Sequence, residues 1–230
     1  KFELSGTTGG GTITNNGTGA LTLSGTATAT LTNTKNLTFS GTNTDANVFS
    51  GVISDGAATA VRVTKTGTGL WELSGSNTYT GNTTLSQGTL VAGHDSAFGP
   101  TGLLLLNGGT LTASGTRDLA NVVTLGGNTI IGGIQAITFS GALTNSGGNR
   151  TLTVNNSGGT TFSGINLSNN DSARTLTFSG TGDAIVSGVV ADGGAGAGLL
   201  TKTGTGSLTL SGSNTYSGNT TLTTGTLTAG

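Results

Sequence analysis

The sequence contains no cysteine and no methionine. Without thiols there can be no disulfide framework and no cysteine-ligated metal centre. Without methionine at position 1, the expectation is a processed form or an interior segment of a longer polypeptide. Charge is scarce too, at 7% of residues, with eight basic and nine acidic side chains giving a net −1. These charges stand singly, so no basic stripe is available to neutralise phosphates, and nucleic acid is not expected as a partner. Aromatic residues make up 4%, with one Trp and two Tyr. That is too few for the aromatic girdles of a transmembrane β-barrel. The longest apolar run, LLLL at 103–106, is far short of the roughly eighteen residues a membrane-spanning helix needs.

What remains is mostly small and polar. Glycine supplies 44 of 230 residues, threonine is about as frequent, and serine and asparagine add much of the rest. Such a composition could leave the chain disordered, but the apolar residues are placed regularly. LTLSG (21–25), LTFSG (37–41), ITFSG (137–141), TTFSG (160–164), LTFSG (176–180) and LTLSG (208–212) all alternate apolar with small polar residues. A period of two marks a strand with one buried face. No long stretch has a helical period, and Gly and Thr are poor helix formers, so no α-helix is expected.

The Ser-Gly pairs that follow an apolar residue in the strand pattern expose a repeat. They begin at Ser5, Ser24, Ser40, Ser50, Ser74, Ser114, Ser140, Ser163, Ser179, Ser187 and Ser211, and five of the seven Phe stand immediately before one of them. Ser5 corresponds to Ser140, Ser24 to Ser163, Ser40 to Ser179, Ser50 to Ser187 and Ser74 to Ser211. A unit of about 137 residues therefore recurs, 1–93 resembling 137–230, with 94–136 between. Inside it runs a shorter beat, often of about 16–24 residues. Short alternating strands broken by Gly, Asn and Ser on that beat suit a stacked β-helix better than a sandwich or a propeller. The reading is an all-β parallel β-helix (β-solenoid) of about 20 residues per coil, roughly eleven coils, continuous over 1–230. Residues before Ser-Gly should line an interior column, and alternate Thr should form outer ladders. The corner Asn of SGSNTY (74–79, 211–216) either stack their amides in a ladder or simply tolerate turn geometry.

The densest repetition is TKTGTGLWELSGSNTYTGNTTLSQGTLVAG at 64–93 against TKTGTGSLTLSGSNTYSGNTTLTTGTLTAG at 201–230. These segments closely resemble the passenger-associated transport repeat (autotransporter-associated β-strand repeat) of bacterial surface proteins. Val63, Lys65, Gly67 and Gly69 match its opening, Leu73, Gly75, Asn77, Tyr79, Gly81 and Thr83 its core, and Gly88, Thr89 and Leu90 its close. Leu200, Lys202, Gly204, Gly206, Leu208, Leu210, Gly212, Asn214, Tyr216, Gly218, Thr220, Gly225, Thr226 and Leu227 match in the second copy, while Trp71 and Glu72 depart from the pattern in the first. The resemblance implies a right-handed β-helical passenger segment, exported to the cell surface or the extracellular space and assisting its own translocation and folding. It implies outer-membrane translocation machinery as a partner.

No residue set reads as a catalytic, cofactor or metal site. The acids Glu3, Asp45, Asp55, Glu72, Asp95, Asp118, Asp171, Asp183 and Asp192 are dispersed. Asp55 and Asp192 recur in Asp-Gly contexts that read as turns. His94 is the one histidine and reads as a loop residue, leaving no pair for a metal and one lone base. The GTGTG strings lack the Lys-Ser/Thr and following helix of a phosphate loop. Lys65 and Lys202 read as solvated strand-edge charges. The expectation is a structural, non-enzymatic surface stalk or filament, without cofactor or small-molecule substrate. Its partners would be further copies stacked end to end, or flanking repeats of a longer chain. The alternative is an adhesin or an ice- or carbohydrate-binding surface on Thr ladders such as 12–14, 151–153, 175–177 and 221–223.

Overall fold

In the computed structural model, which describes residues 1–7 and 9–230, the chain winds into a parallel β-solenoid of about 10 turns with about 23 residues per turn. The described residues contain 28 strands and no helix. All strand pairings among them are parallel. Each coil visits three faces in order. The first face carries a three-stranded and a six-stranded sheet, the second a nine-stranded sheet and the third a ten-stranded sheet. The first face is split because residues 74–82 and 93–103 cross it without forming strands. Coil length is uneven, which the expected beat of 20 understates: Leu90 stacks on Trp71 19 residues earlier, whereas Thr38 stacks on Thr12 26 residues earlier.

Alternation decides what enters the core. Val61–Lys65 turns Val61, Val63 and Lys65 inward and Arg62 and Thr64 outward. In-register stacking then carries each inward position up the axis. On the second face Leu37, Val63, Thr83, Leu104, Val123, Leu143, Ile165 and Val190 form one interior column, all buried. The column beside it on the outside reads Thr12, Thr38, Thr64, Thr84, Leu105, Thr124 and Thr144. Here the branched side chains favour extended backbone and leave the core to Leu, Val and Ile.

Corners are made by glycine. Gly41, Gly67, Gly88 and Gly109 follow second-face strands in successive coils, with φ of 112°, 66°, 72° and 68°. A Cβ on Gly67 would stand 2.5 Å from the Gly41 carbonyl oxygen, and one on Gly88 would stand 2.3 Å from that of Gly67. Both the left-handed backbone and the coil-on-coil approach therefore demand glycine here.

Phe39, Phe49, Phe139, Phe162 and Phe178, the residues before Ser-Gly, are all buried, but they do not form a single column. Phe39 lies on the second face, Phe49 and Phe178 on the third, Phe139 and Phe162 on the first. The three strands of a coil end in similar corners, so one sequence signature serves all of them. Phe162 stacks on Phe139 with ring centroids 5.1 Å apart and planes 3° from parallel, and meets Phe178 edge-on at 5.9 Å.

Truncating that central ring by Phe162→Ala should cost about 3–5 kcal/mol of local stability. In a solenoid, where each coil answers mainly to its neighbours, native-state hydrogen exchange is the suitable measurement. The amides of 137–139, 160–162 and 184–186 should exchange faster, while those of 35–41 keep their rates.

Candidate functional site

The two thirty-residue copies are built alike, group for group. In the first, Val61–Lys65 runs along the second face and Leu70–Leu73 along the third. Residues 74–82 cross the first face, and Thr83–Leu85 and Thr89–Ala92 return to the second and third. In the second copy, Gly198–Lys202 lies on the third face and Ser207–Leu210 on the first. Residues 211–219 cross the second, and Thr220–Leu222 and Thr226–Ala229 return to the third and first. The whole motif has moved round by one face, because the 137-residue offset spans six coils and one further strand. The Ser5–Ser140 correspondence does not follow this rule. Phe2–Leu4 and Ile137–Phe139 both occupy the first face.

Lys65 is the largest correction to the sequence reading: it is fully buried rather than solvated. Its Nζ donates to the carbonyl oxygens of Thr66 (2.7 Å), Gly67 (2.8 Å) and Gln87 (3.1 Å). Three ammonium donors meet three corner carbonyls that no strand partner takes up. Lys202, 2% exposed, donates likewise to the carbonyls of Thr203 and Gly204, the latter at 3.0 Å. Lys35 is also buried and reaches the Gly6 carbonyl. The signal was present in the sequence, since Lys65 is in phase with inward Val61 and Val63.

The crossing segments carry the other shared fittings. Asn77, buried, accepts a hydrogen bond from the Ile53 amide (2.8 Å) and donates to the Ala97 carbonyl (2.7 Å). It ties the coil below to the coil above through backbone. This is neither an amide ladder nor mere tolerance of a turn. Asn214 repeats the lower half of that tie, accepting from the Val190 amide at 2.9 Å. Tyr79 and Tyr216 each place the hydroxyl 2.5 Å from a threonine four residues on, Thr83 and Thr220. Asp55 accepts from the amides of Val61 (2.6 Å) and Thr80 (3.1 Å). Asp192 accepts from those of Gly198 (2.7 Å) and Ser217 (3.0 Å). These backbone donors, that of Gly198 first, hold the Asp192 carboxyl below its usual range. A Ser207 hydroxyl and amide do the same for Asp183. The two turn aspartates are thus clamps between coils. Trp71, outside the repeat's pattern, is buried against Phe39 at 5.1 Å and donates its indole N–H to the Ser40 carbonyl at 2.9 Å.

The remaining candidates stay apart. His94 Nδ1 accepts from the Ser96 amide at 3.0 Å, closing a turn. Asp95 approaches Arg117 at 3.9 Å, and Glu72 accepts from the Ser114 hydroxyl at 2.7 Å. Among the described residues no three His, Asp or Glu side chains converge to hold a metal. A broad groove of about 650 Å³ runs over the third face, lined by Thr68, Thr89, Thr110, Asn128, Thr151, Thr153 and neighbouring residues. Its lining offers hydroxyl and amide contacts and no titratable group.

Burial pushes the Lys65 ammonium down from 10.5 to about 8. Below about pH 8 the buried amine is charged in folded and unfolded chains, and its desolvation cost is fully present. As pH rises towards 10.5 the folded form sheds its proton first, so stability should climb. Burial raises the Tyr79 phenol well above its usual 10.0, so tyrosine ionisation in the unfolded chain should reverse that climb near pH 10. Urea unfolding midpoints across pH 7–11 check the profile, and Lys65→Met should flatten its rising limb.

The sequence model of the passenger-associated-transport-repeat matches residues 63–92 and 200–229. No curated protein and no solved structure matches the chain. The matched residues are the two segments whose lysine, asparagine, tyrosine and glycines hold corresponding places on different faces. The chain is a parallel β-solenoid that carries two segments matching the passenger-associated-transport-repeat.

Proposed function

We propose that this chain is a structural segment of an exported bacterial surface protein, a β-solenoid stalk or filament whose coil-by-coil stacking aids its own export and folding. It acts outside the cell or at its surface, delivered there by outer-membrane translocation machinery, and performs no catalysis. One observation carries the reading: the lysine, asparagine and turn aspartate that recur with both repeats are spent on backbone of their own coil or an adjacent one. Lys65, Asn77 and Asp55 bond to backbone of their own or adjacent coils, and Lys202, Asn214 and Asp192 do likewise. A coil that finds its partners on the preceding coil can fold as it emerges from a pore, and folding outside then opposes backsliding. A chain without cysteine reaches such a pore free of cross-links.

A second reading, adhesion to ice or carbohydrate, is favoured by the outward hydroxyl columns. Thr151, Thr177, Thr201 and Thr221 stack in register on the third face. The column on the second face is interrupted by Leu105. Thermal hysteresis at micromolar protein would promote the ice reading, and its absence would remove it.

The export reading is tested by placing a charge in the core. Leu210→Asp buries a carboxylate at a position 2% exposed, a change costing several kcal/mol. It should slow the arrival of protease-accessible protein at the cell surface, as should Leu227→Asp, whereas the outward Thr209→Asp should not. Undiminished display of the Leu210 variant would count against the reading.

A further inference from the structure

The corner between the second and third faces changes length along the solenoid in an ordered way. It takes six residues at 16–21 and at 42–47, seven at 167–173 and six at 192–197. Between these it shortens to four residues at 66–69, three at 86–88, 107–109 and 126–128, and four at 146–149. Short corners draw the wall of the solenoid inward and long ones push it out, so the middle coils form a waist. The groove of about 650 Å³ lies along that waist: its lining begins at Thr68, passes Gly88 and Gly109, and finishes at Thr151 and Thr153. The longer corners at 42–47 and 167–173 bound it at either end.

Thr89, Thr110, Ile130 and Thr153 stack in register along the groove. Among the described residues, the hydroxyls of Thr68, Thr89, Thr110, Thr151 and Thr153 take part in no internal hydrogen bond, and the Asn128 side chain accepts one, from the Thr151 amide at 2.9 Å. Ile130, 38% exposed, adds an apolar spot. The buried Lys65 ammonium lies behind the wall, where a Cβ on Gly88 would fall 2.6 Å from it, but its donors face corner carbonyls.

We propose that this waist groove binds a short, extended, uncharged oligosaccharide lying parallel to the solenoid axis. The lining selects the class. With no titratable group facing it, the groove offers nothing to pair with a phosphate, a uronic acid or a metal ion. The strands Thr89–Ala92, Thr110–Ala113 and Thr129–Ile131 are paired on both sides, so no edge is free to take up a peptide strand. A concave wall does not lie against a flat ice surface. Free hydroxyl and amide groups beside one branched apolar side chain match the edge and the face of a neutral sugar ring. An extended glycan advances by about one coil spacing per ring, and the groove spans four such spacings, roughly 19 Å, so about four rings fit. No aromatic ring lines the groove, and binding is therefore weak, with a Kd of about 1 mM. The proposal rests on the carbohydrate form of the adhesion reading and assigns it a place, a size and a charge.

The test is a titration of the full chain with cello- and chito-oligosaccharides of two to six units, followed by backbone amide chemical shifts. Shifts should centre on residues 68, 89, 110, 128, 151 and 153, and affinity should rise with length to about four units and then level off. Thr110→Val keeps the branched shape and removes one hydroxyl; it should weaken binding about fivefold while leaving the urea midpoint in place. Thr124→Val, on the second face, should change nothing. Shifts confined to Thr177, Thr201 and Thr221 would overturn this site yet leave carbohydrate adhesion standing. Absence of shifts anywhere at about 10 mM sugar would overturn both. Equal or tighter binding of oligogalacturonates would also overturn the proposal, because the occupant would then be charged.

Discussion

The backbone of each coil finds its hydrogen-bond partners on adjacent coils, and the corners are where that arrangement is incomplete. Along a face, parallel strands satisfy one another residue by residue. At the corners the chain turns through left-handed glycines; the carbonyls of Gly41 and Gly88 still accept amides of the next coil, whereas those of Thr66 and Gly67 are taken up by a side chain. The molecule answers with donors rather than ion pairs. Lys65 caps three corner carbonyls. Asn121 gives its amide to the carbonyls of Phe98, Gly99 and Gly102. Arg117 reaches the Gly93 carbonyl at 2.6 Å. A chain with so few charges spends several of them on its own backbone.

That use of charge also marks the limit of what could be read from the sequence. The period-two alternation of LTFSG and LTLSG foretold strands, one buried face and a stacked coil, because side-chain direction follows from local geometry alone. The identity of Lys65 argued the other way, since lysine is almost never fully buried. Here phase outranked residue type: Lys65 stands two positions from Val63, and both turn inward. Asn77 was undecided for a similar reason. Its partners, Ile53 and Ala97, lie about one coil away on either side, and no local rule specifies which residues will be neighbours along the axis. Asp55, Asp192 and His94 were legible as turn and loop residues because each has a partner near in sequence, Val61, Gly198 and Ser96.

Coil length was the other blind spot. Strand spacing inside a coil is set by pleat and corner, but the irregular crossings at 74–82 and 93–103 shorten some coils, and the bends of the second and third coils lengthen others. A beat counted from Ser-Gly pairs mixes these, since the signature ends strands on all three faces. Hence an average near 20 from sequence and about 23 in the structure.

The rotation of the second repeat by one face follows from the same geometry. If the three sides of a coil were chemically distinct, a thirty-residue segment could work only in one phase, and repeats would have to recur at whole numbers of coils. The two copies instead sit one face apart and still bury the same lysine, Lys65 and Lys202, and keep the same hydroxyl pair, Tyr79 with Thr83 and Tyr216 with Thr220. What a segment needs is therefore not a particular face but a coil beneath it with a glycine corner and an inward apolar column. Nearest-neighbour dependence of this kind allows repeats to be inserted, lost or duplicated at any third of a turn without disturbing distant coils. A sequence period that is no multiple of the structural period is then the expected state of such a chain.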